Sequence, residues 1–206
     1  MKLVFEKLKF TSDNRTVIDD VSITVNEGIT GFYGKNGSGK TVLTMLIAGL
    51  LKPTSGTVRM EPKDISPVTG FAFEIPDDSL FLDTVYDEVA FGIKNYKLPM
   101  ERVGKVIAFF GLKPEVSPQK LSFSEKKLLT LASLSYDPEV VVVDEPFRGL
   151  DSEKVKKVCQ FLKRLGEKAK ILITFSNDLE ILKSFCQRIG VIEGGKISFL
   201  PMSPDR

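Results

Sequence analysis

Near the start of the chain apolar residues recur at every second place, and further along they give way to spacings of three and four. Leu3 to Phe10, then Val21, Ile23 and Val25, alternate with polar neighbours, and Asn26-Glu27-Gly28 marks a turn before the apolar run Ile29 to Tyr33. A period of two sends successive side chains to opposite faces of an extended backbone, so these segments read as strands. Val42, Leu43, Leu46 and Ile47 share one face of a helix that starts inside a glycine-rich segment, ends near Gly49 and cannot pass Pro53. A further strand pair is expected around Gly56 to Met60 and Phe71 to Phe73. The middle third changes character. Thr84 to Asn95, Pro99 to Gly111 and Ser124 to Ser135 carry apolar residues at helical spacing, with Pro99 suited to a first helical position and Gly111 to a stop. This predicts an inserted α-helical subdomain over approximately residues 76–136.

The last third returns to strand and helix in alternation. Val140 to Val143 is an unbroken β-branched run between Pro138 and Pro146, the pattern of a parallel-sheet strand covered on both faces. Ser152 to Gly166 is a helix by the spacing of Val155, Val158, Cys159, Leu162 and Leu165. Lys170 to Phe175 is the next strand, followed by a helix through Leu179, Leu182 and Phe185. Ile189 to Ile192 and Ile197 to Leu200, joined by Glu193-Gly194-Gly195-Lys196, read as a hairpin. Strands alternating with helices imply an α/β fold with a mostly parallel core sheet, preceded by an N-terminal antiparallel β subdomain.

Composition narrows this picture. A length of 206 residues suits one domain over 1–206, and 42% hydrophobic with 27% charged residues suits a packed one. The net charge of +2 comes with no polybasic tail, so nothing in the electrostatics points to nucleic acid and any phosphate binding must be local. The apolar runs fall well short of the roughly 18 to 20 residues of a membrane helix. The start Met1-Lys2-Leu3-Val4-Phe5 carries no apolar leader or cleavage site, which reads as a cytoplasmic beginning. Cys159 and Cys186 read as buried thiols, and there is no histidine.

The sharpest chemical signal is Gly34-Lys35-Asn36-Gly37-Ser38-Gly39-Lys40-Thr41, which has P-loop spacing and lies between a predicted strand and a predicted helix. Glycines let consecutive amides from Asn36 through Gly37, Ser38, Gly39, Lys40 and Thr41 converge on phosphate oxygens, and the helix N-terminus adds its positive dipole end. Lys40 is expected to reach the β and γ phosphates and Thr41 to ligate Mg²⁺, while the side chains of Lys35 and Asn36 read as solvated. Asp144-Glu145 closes the valine strand at the carboxyl edge of the sheet, where such folds bind ligands. Asp144 can hold Mg²⁺ and Glu145 can polarise an attacking water.

With the P-loop, the segment Val140 to Pro146 and Gly149-Leu150-Asp151 in this order, the chain resembles the ABC ATPases, a P-loop NTPase family with a RecA-like sheet, over almost its full length. The stretch Phe73 to Phe81, continuing through Thr84-Val85 to Phe91-Gly92-Ile93-Lys94-Asn95, looks most like energy-coupling-factor and cobalt-type importers. The resemblance implies ATP and Mg²⁺ as ligands. It also implies a second nucleotide-binding domain and an integral membrane transporter subunit as partners, no nucleic acid, and a peripheral place on the cytoplasmic face of the cell membrane. The family signature reads Leu121-Ser122-Phe123-Ser124-Glu125, so the resemblance assigns Ser122 and Ser124 to the capping of a partner's nucleotide, with Phe123 and Ser124 standing in place of two glycines. Glu74 stands at the Q-loop glutamine, where it can still ligate metal. Asn177 stands at the switch histidine and can donate a hydrogen bond but carries no charge. Phe10 is the nearest adenine-stacking candidate, with a core role equally open. These departures suggest a weak ATPase, the lesser half of an asymmetric heterodimer that imports a vitamin or metal ion. The rival reading is a regulatory, non-transport ABC ATPase or an ATP-dependent binding module with little turnover.

Overall fold

The computed structural model describes residues 1–62 and 68–201. Three strands form an antiparallel sheet: β1 (Lys2–Ser12), β2 (Arg15–Asn26) and, later in the chain, β4 (Ser55–Glu61), in the order β2-β1-β4. The second sheet holds β3 (Gly28–Tyr33), β5 (Thr69–Ala72), β6 (Val140–Asp144), β7 (Ile171–Ser176), β8 (Arg188–Glu193) and β9 (Lys196–Phe199), in the order β5-β6-β7-β3-β8-β9. Every pairing in it is parallel except the closing β8–β9 hairpin. The helices are α1 (Lys40–Ile47), α2 (Val85–Asn95), α3 (Glu101–Phe110), α4 (Phe123–Ala132), α5 (Ser152–Lys168) and α6 (Leu179–Phe185).

The valine run explains itself in this architecture. Val140 and Val142 enter the core shared with the antiparallel sheet and α1, whereas Val141 and Val143 enter the core under α2, α4 and α5. A strand with apolar cover on both faces has no polar side to show, and β-branched residues pack well on both. Phe32 and Phe175 stack on neighbouring strands at 5.3 Å between ring centroids within the first of these cores.

Four expectations shift. The segments near Gly56 and Phe71 do not pair: β4 joins β1, and β5 joins β6 in the other sheet. Period-two patterning marks a strand but is silent about its neighbour. Pro99 lies before α3 rather than within it, and its carbonyl accepts from the Arg102 amide at 3.1 Å to open the first turn. The helix expected to stop at Gly166 continues to Lys168, because Gly166 lies against Ile29, where a Cβ would come within 2.6 Å of Ile29 Cδ1. Both thiols are free, but only Cys186 is buried, whereas Cys159 is partly exposed on α5.

Candidate nucleotide site

The end of β3 and the start of α1 are joined by the P-loop segment, whose first amide, that of Gly34, donates to the Ser176 carbonyl at the end of β7 at 3.2 Å. Gly39 caps α1 with φ of 101° and offers no side-chain acceptor, and a Cβ there would approach Val17 Cγ1 to 3.1 Å. The first amides of a helix have no acceptor within it, so an uncapped glycine leaves them for an anion. The Ser38 hydroxyl is buried without a hydrogen-bond partner in the same loop.

Lys40 turns back over this loop. Its Nζ donates to the carbonyls of Gly34 at 2.8 Å and Lys35 at 3.1 Å and pairs with Glu145 Oε1 at 3.0 Å. Both charged side chains are almost fully buried, 6% and 5% exposed. Glu145 has φ of 48°, a left-handed conformation costing a non-glycine residue about 1 kcal/mol. That turn at the end of β6 aims the carboxylate at the P-loop rather than along the strand.

Asp144 is buried, and neither of its carboxylate oxygens has a hydrogen-bond partner. Burial pushes its carboxyl up to about 6, with Glu74 and Glu145 adding to the rise and Thr41 and Lys40 opposing it. The Thr41 hydroxyl donates instead to Glu74 Oε2 at 3.3 Å, and one hydroxyl proton cannot serve both acids. An orphaned buried carboxylate beside a hydroxyl and a second carboxylate is an oxygen-only donor set, which suits a hard cation such as Mg²⁺. Among the described residues no group of three or more His, Cys, Asp or Glu side chains forms a metal cage. A Mg²⁺ held here needs phosphate oxygens to complete its shell, as this ion usually does.

The structure brings the sequence-predicted residues together in part. Asn36, Gly37, Gly39, Lys40, Thr41, Glu74 and Glu145 line one cavity of about 320 Å³. Asn177 stands beside it, its amide donating to Asn36 Oδ1 at 3.1 Å, so the Asn36 side chain has a protein partner and is not merely solvated. Ser122 and Ser124 do not join this site. Ser122 is the N-cap of α4 in a capping box with Glu125, and Ser124 sits 3.3 Å from it in the first turn. Phe10 packs against the core of the antiparallel sheet, whereas Val17 on β2 lines the cavity.

Two cations escaped the sequence reading. Lys127 of α4 is buried, and its Nζ donates to the Glu145 carbonyl. Burial lowers its ammonium to about 8, against the pull of Glu74, Glu145 and Asp144. Arg148, in the loop after β6, lines the cavity and pairs with Glu74 Oε1. A lysine on a helix and an arginine in a loop look unengaged in sequence, and only the tertiary approach of α4 and that loop reveals their partners.

An α/β molecule with a P-loop opening α1 and paired acids at the end of β6, a buried strand of the sheet that also holds β3, is a P-loop nucleotide-binding protein. The model of the ABC transporter family matches residues 18–148. A putative ABC transporter ATP-binding protein of Pyrococcus furiosus is 32% identical over 202 residues, covering 91% of this chain and 78% of that protein. The energy-coupling factor transporter ATP-binding protein EcfA2 of Thermotoga maritima is 34% identical over 200 residues, covering 90% and 75%. Among solved structures, CbiO1 of Clostridium perfringens, part of the ABC transporter complex CbiONQ, superposes with a TM-score of 0.76 at 29% identity, covering 95% of this chain and 86% of that one. A dimeric ATP-binding cassette in a post-hydrolysis state with ADP and Pi shares the fold, with a TM-score of 0.82 at 22% identity, covering 98% and 100%. The chain belongs to the ABC transporter family, as an ATP-binding subunit with relatives among energy-coupling-factor transporters.

Proposed function

We propose that this chain binds Mg·ATP between its P-loop and the end of β6 and couples ATP hydrolysis to import of a vitamin or metal ion through separate membrane subunits. It acts as the weaker half of an asymmetric pair of nucleotide-binding domains. The carrying observation is the buried Asp144, whose two oxygens have no protein partner, set beside Thr41 and the Lys40–Glu145 pair. A protein keeps such an expensive group for a ligand that satisfies it.

In this reading the amides from Gly37 to Thr41 hold the phosphate chain and Lys40 exchanges its bond to Glu145 for phosphate oxygens. Freed of Lys40, Glu145 accepts a proton from the attacking water. Thr41, Asp144 and Glu74 are the residues that would hold Mg²⁺, which supplies charge neutralisation to the phosphates. Asn177, neutral and drawn toward Asn36, positions the water or the terminal phosphate without adding charge. Ser122 and Ser124 face outward at the tip of α4, available to a nucleotide held by the second domain.

Transport is supported by a face made for contact. Phe81, Phe91 and Tyr96 are exposed aromatic side chains that line a cavity of about 510 Å³ together with Phe71 and Tyr136, and Ile75 and Tyr86 are exposed nearby in sequence. Apolar exposure on this scale marks a docking surface. The naming of EcfA2 and CbiO1 as parts of transporters favours membrane subunits as its occupants. Among the described residues no helix is long and apolar enough to cross a membrane.

Affinity purification from native membranes tests the reading: a second ATPase and at least one integral membrane protein should co-purify, and the pure subunit should hydrolyse ATP slowly until that ATPase is added. Fast turnover by the homodimer would remove the asymmetric model.

A further inference from the structure

Arg148 has no part in the scheme above, yet it is one of two cationic side chains lining the nucleotide cavity among the described residues, the other being Lys40. Its backbone is held close to the catalytic acid, the Arg148 amide donating to the Glu145 carbonyl at 3.4 Å. Its side chain is 59% exposed and leans across the cavity mouth onto Glu74 Oε1, while Glu74 Oε2 takes the Thr41 hydroxyl at 3.3 Å. Glu74 therefore bridges an arginine and the hydroxyl that a Mg²⁺-phosphate ligand would claim.

We propose that Arg148 is the cation that reads the terminal phosphate of a bound nucleoside triphosphate, parked on Glu74 while the site is empty. The inference rests on the ATP-binding reading above and deepens it.

The other charges leave this task to Arg148. Lys40 keeps two of its three protons on the Gly34 and Lys35 carbonyls and has only the one now on Glu145 to give a phosphate, and Lys127 is buried against the Glu145 carbonyl. Asn177 carries no charge, and the chain has no histidine. A phosphate terminus carries more charge than the Glu74 carboxylate and offers the same two-oxygen edge to a guanidinium fork, so it competes well for Arg148. A diphosphate ends one phosphoryl group short and leaves the arginine where it is. The exchange also releases Glu74 on one side as the Thr41 hydroxyl is withdrawn on the other, which ties occupancy of the γ position to a free Glu74 carboxylate.

The test is calorimetric titration with ATP and with ADP in excess EDTA, where hydrolysis is silent and Glu74 has no metal to bind. Arg148→Ala should weaken ATP about tenfold and ADP less than about twofold, and Arg148→Lys should recover only part of the loss, because an ammonium cannot offer the fork. Glu74→Gln should strengthen ATP severalfold by freeing the arginine. An exposed ion pair contributes at most about 1 kcal/mol, so these variants remain folded. Equal losses for ATP and ADP, or tighter ATP binding by Arg148→Ala, would overturn the assignment while leaving the P-loop reading intact. Failure of the wild-type protein to bind either nucleotide, with or without Mg²⁺, would overturn both.

Discussion

Lys40 and Asp144 carry opposite kinds of cost. Lys40 and Glu145 neutralise one another in near-complete burial, so Lys40→Ala strands a carboxylate and should destabilise the empty protein by about 3 kcal/mol besides abolishing ATP binding. Replacing both partners, Lys40→Met with Glu145→Gln, should restore most of the melting temperature and none of the binding. Asp144 is the reverse case. Its folded value of about 6 lies above the ordinary 3.8, so the folded protein holds the proton more tightly. The resulting stability is complete below the ordinary value and is lost as pH rises through about 6. Asp144→Asn should therefore stabilise the nucleotide-free protein by on the order of 2 kcal/mol near neutral pH, with the gain vanishing toward pH 4 in denaturant titrations. The P-loop was legible because only glycines allow its backbone path, whereas Arg148 and Lys127 were not, since their meaning depends on what lies across space from them.

At the scale of elements, backbone geometry sets sharper limits than side-chain chemistry. Gly56 has φ of 77°, and a Cβ on it would fall 2.1 Å from the Lys7 carbonyl oxygen and 2.4 Å from that of Glu6. Gly56→Ala should loosen the β1–β4 pairing and cost about 3 kcal/mol, read as a lower urea midpoint. The start of α4 is held by a capping box in which Ser122 accepts from the Glu125 amide and Glu125 accepts from that of Ser122. Ser122→Ala should cost about 1 kcal/mol, visible as faster amide exchange in the first turn of α4. Helices and buried strands were readable from period alone because amphipathic and two-sided burial leave distinct patterns. Strand partnership was not, as β4 and β5 demonstrate by joining different sheets.

Across the molecule, the nucleotide cavity and the aromatic cavity are lined by different residues, with Glu74 in one and Ser79 to Phe81 in the other marking the short path between them. Phe91 meets Phe81 edge to face at 5.7 Å and is half exposed, so its removal should not disturb the core. Phe91→Asp should release the co-purifying membrane proteins while ATP affinity in calorimetry stays within about twofold of wild type, because charge at the centre of an apolar contact is left unpaired.

One link acts over a longer range than its size suggests. Lys127 belongs to the helix whose tip faces outward, yet its ammonium grips the backbone of the acid that faces inward. It works as a tie rod: tilting the helix must tug on the Glu145 peptide, and seating a nucleotide must be felt at the helix tip by the same amount of free energy. Nucleotide added to the wild-type protein should alter deuterium uptake at 121–126, and Lys127→Met should silence that response while leaving the P-loop protected.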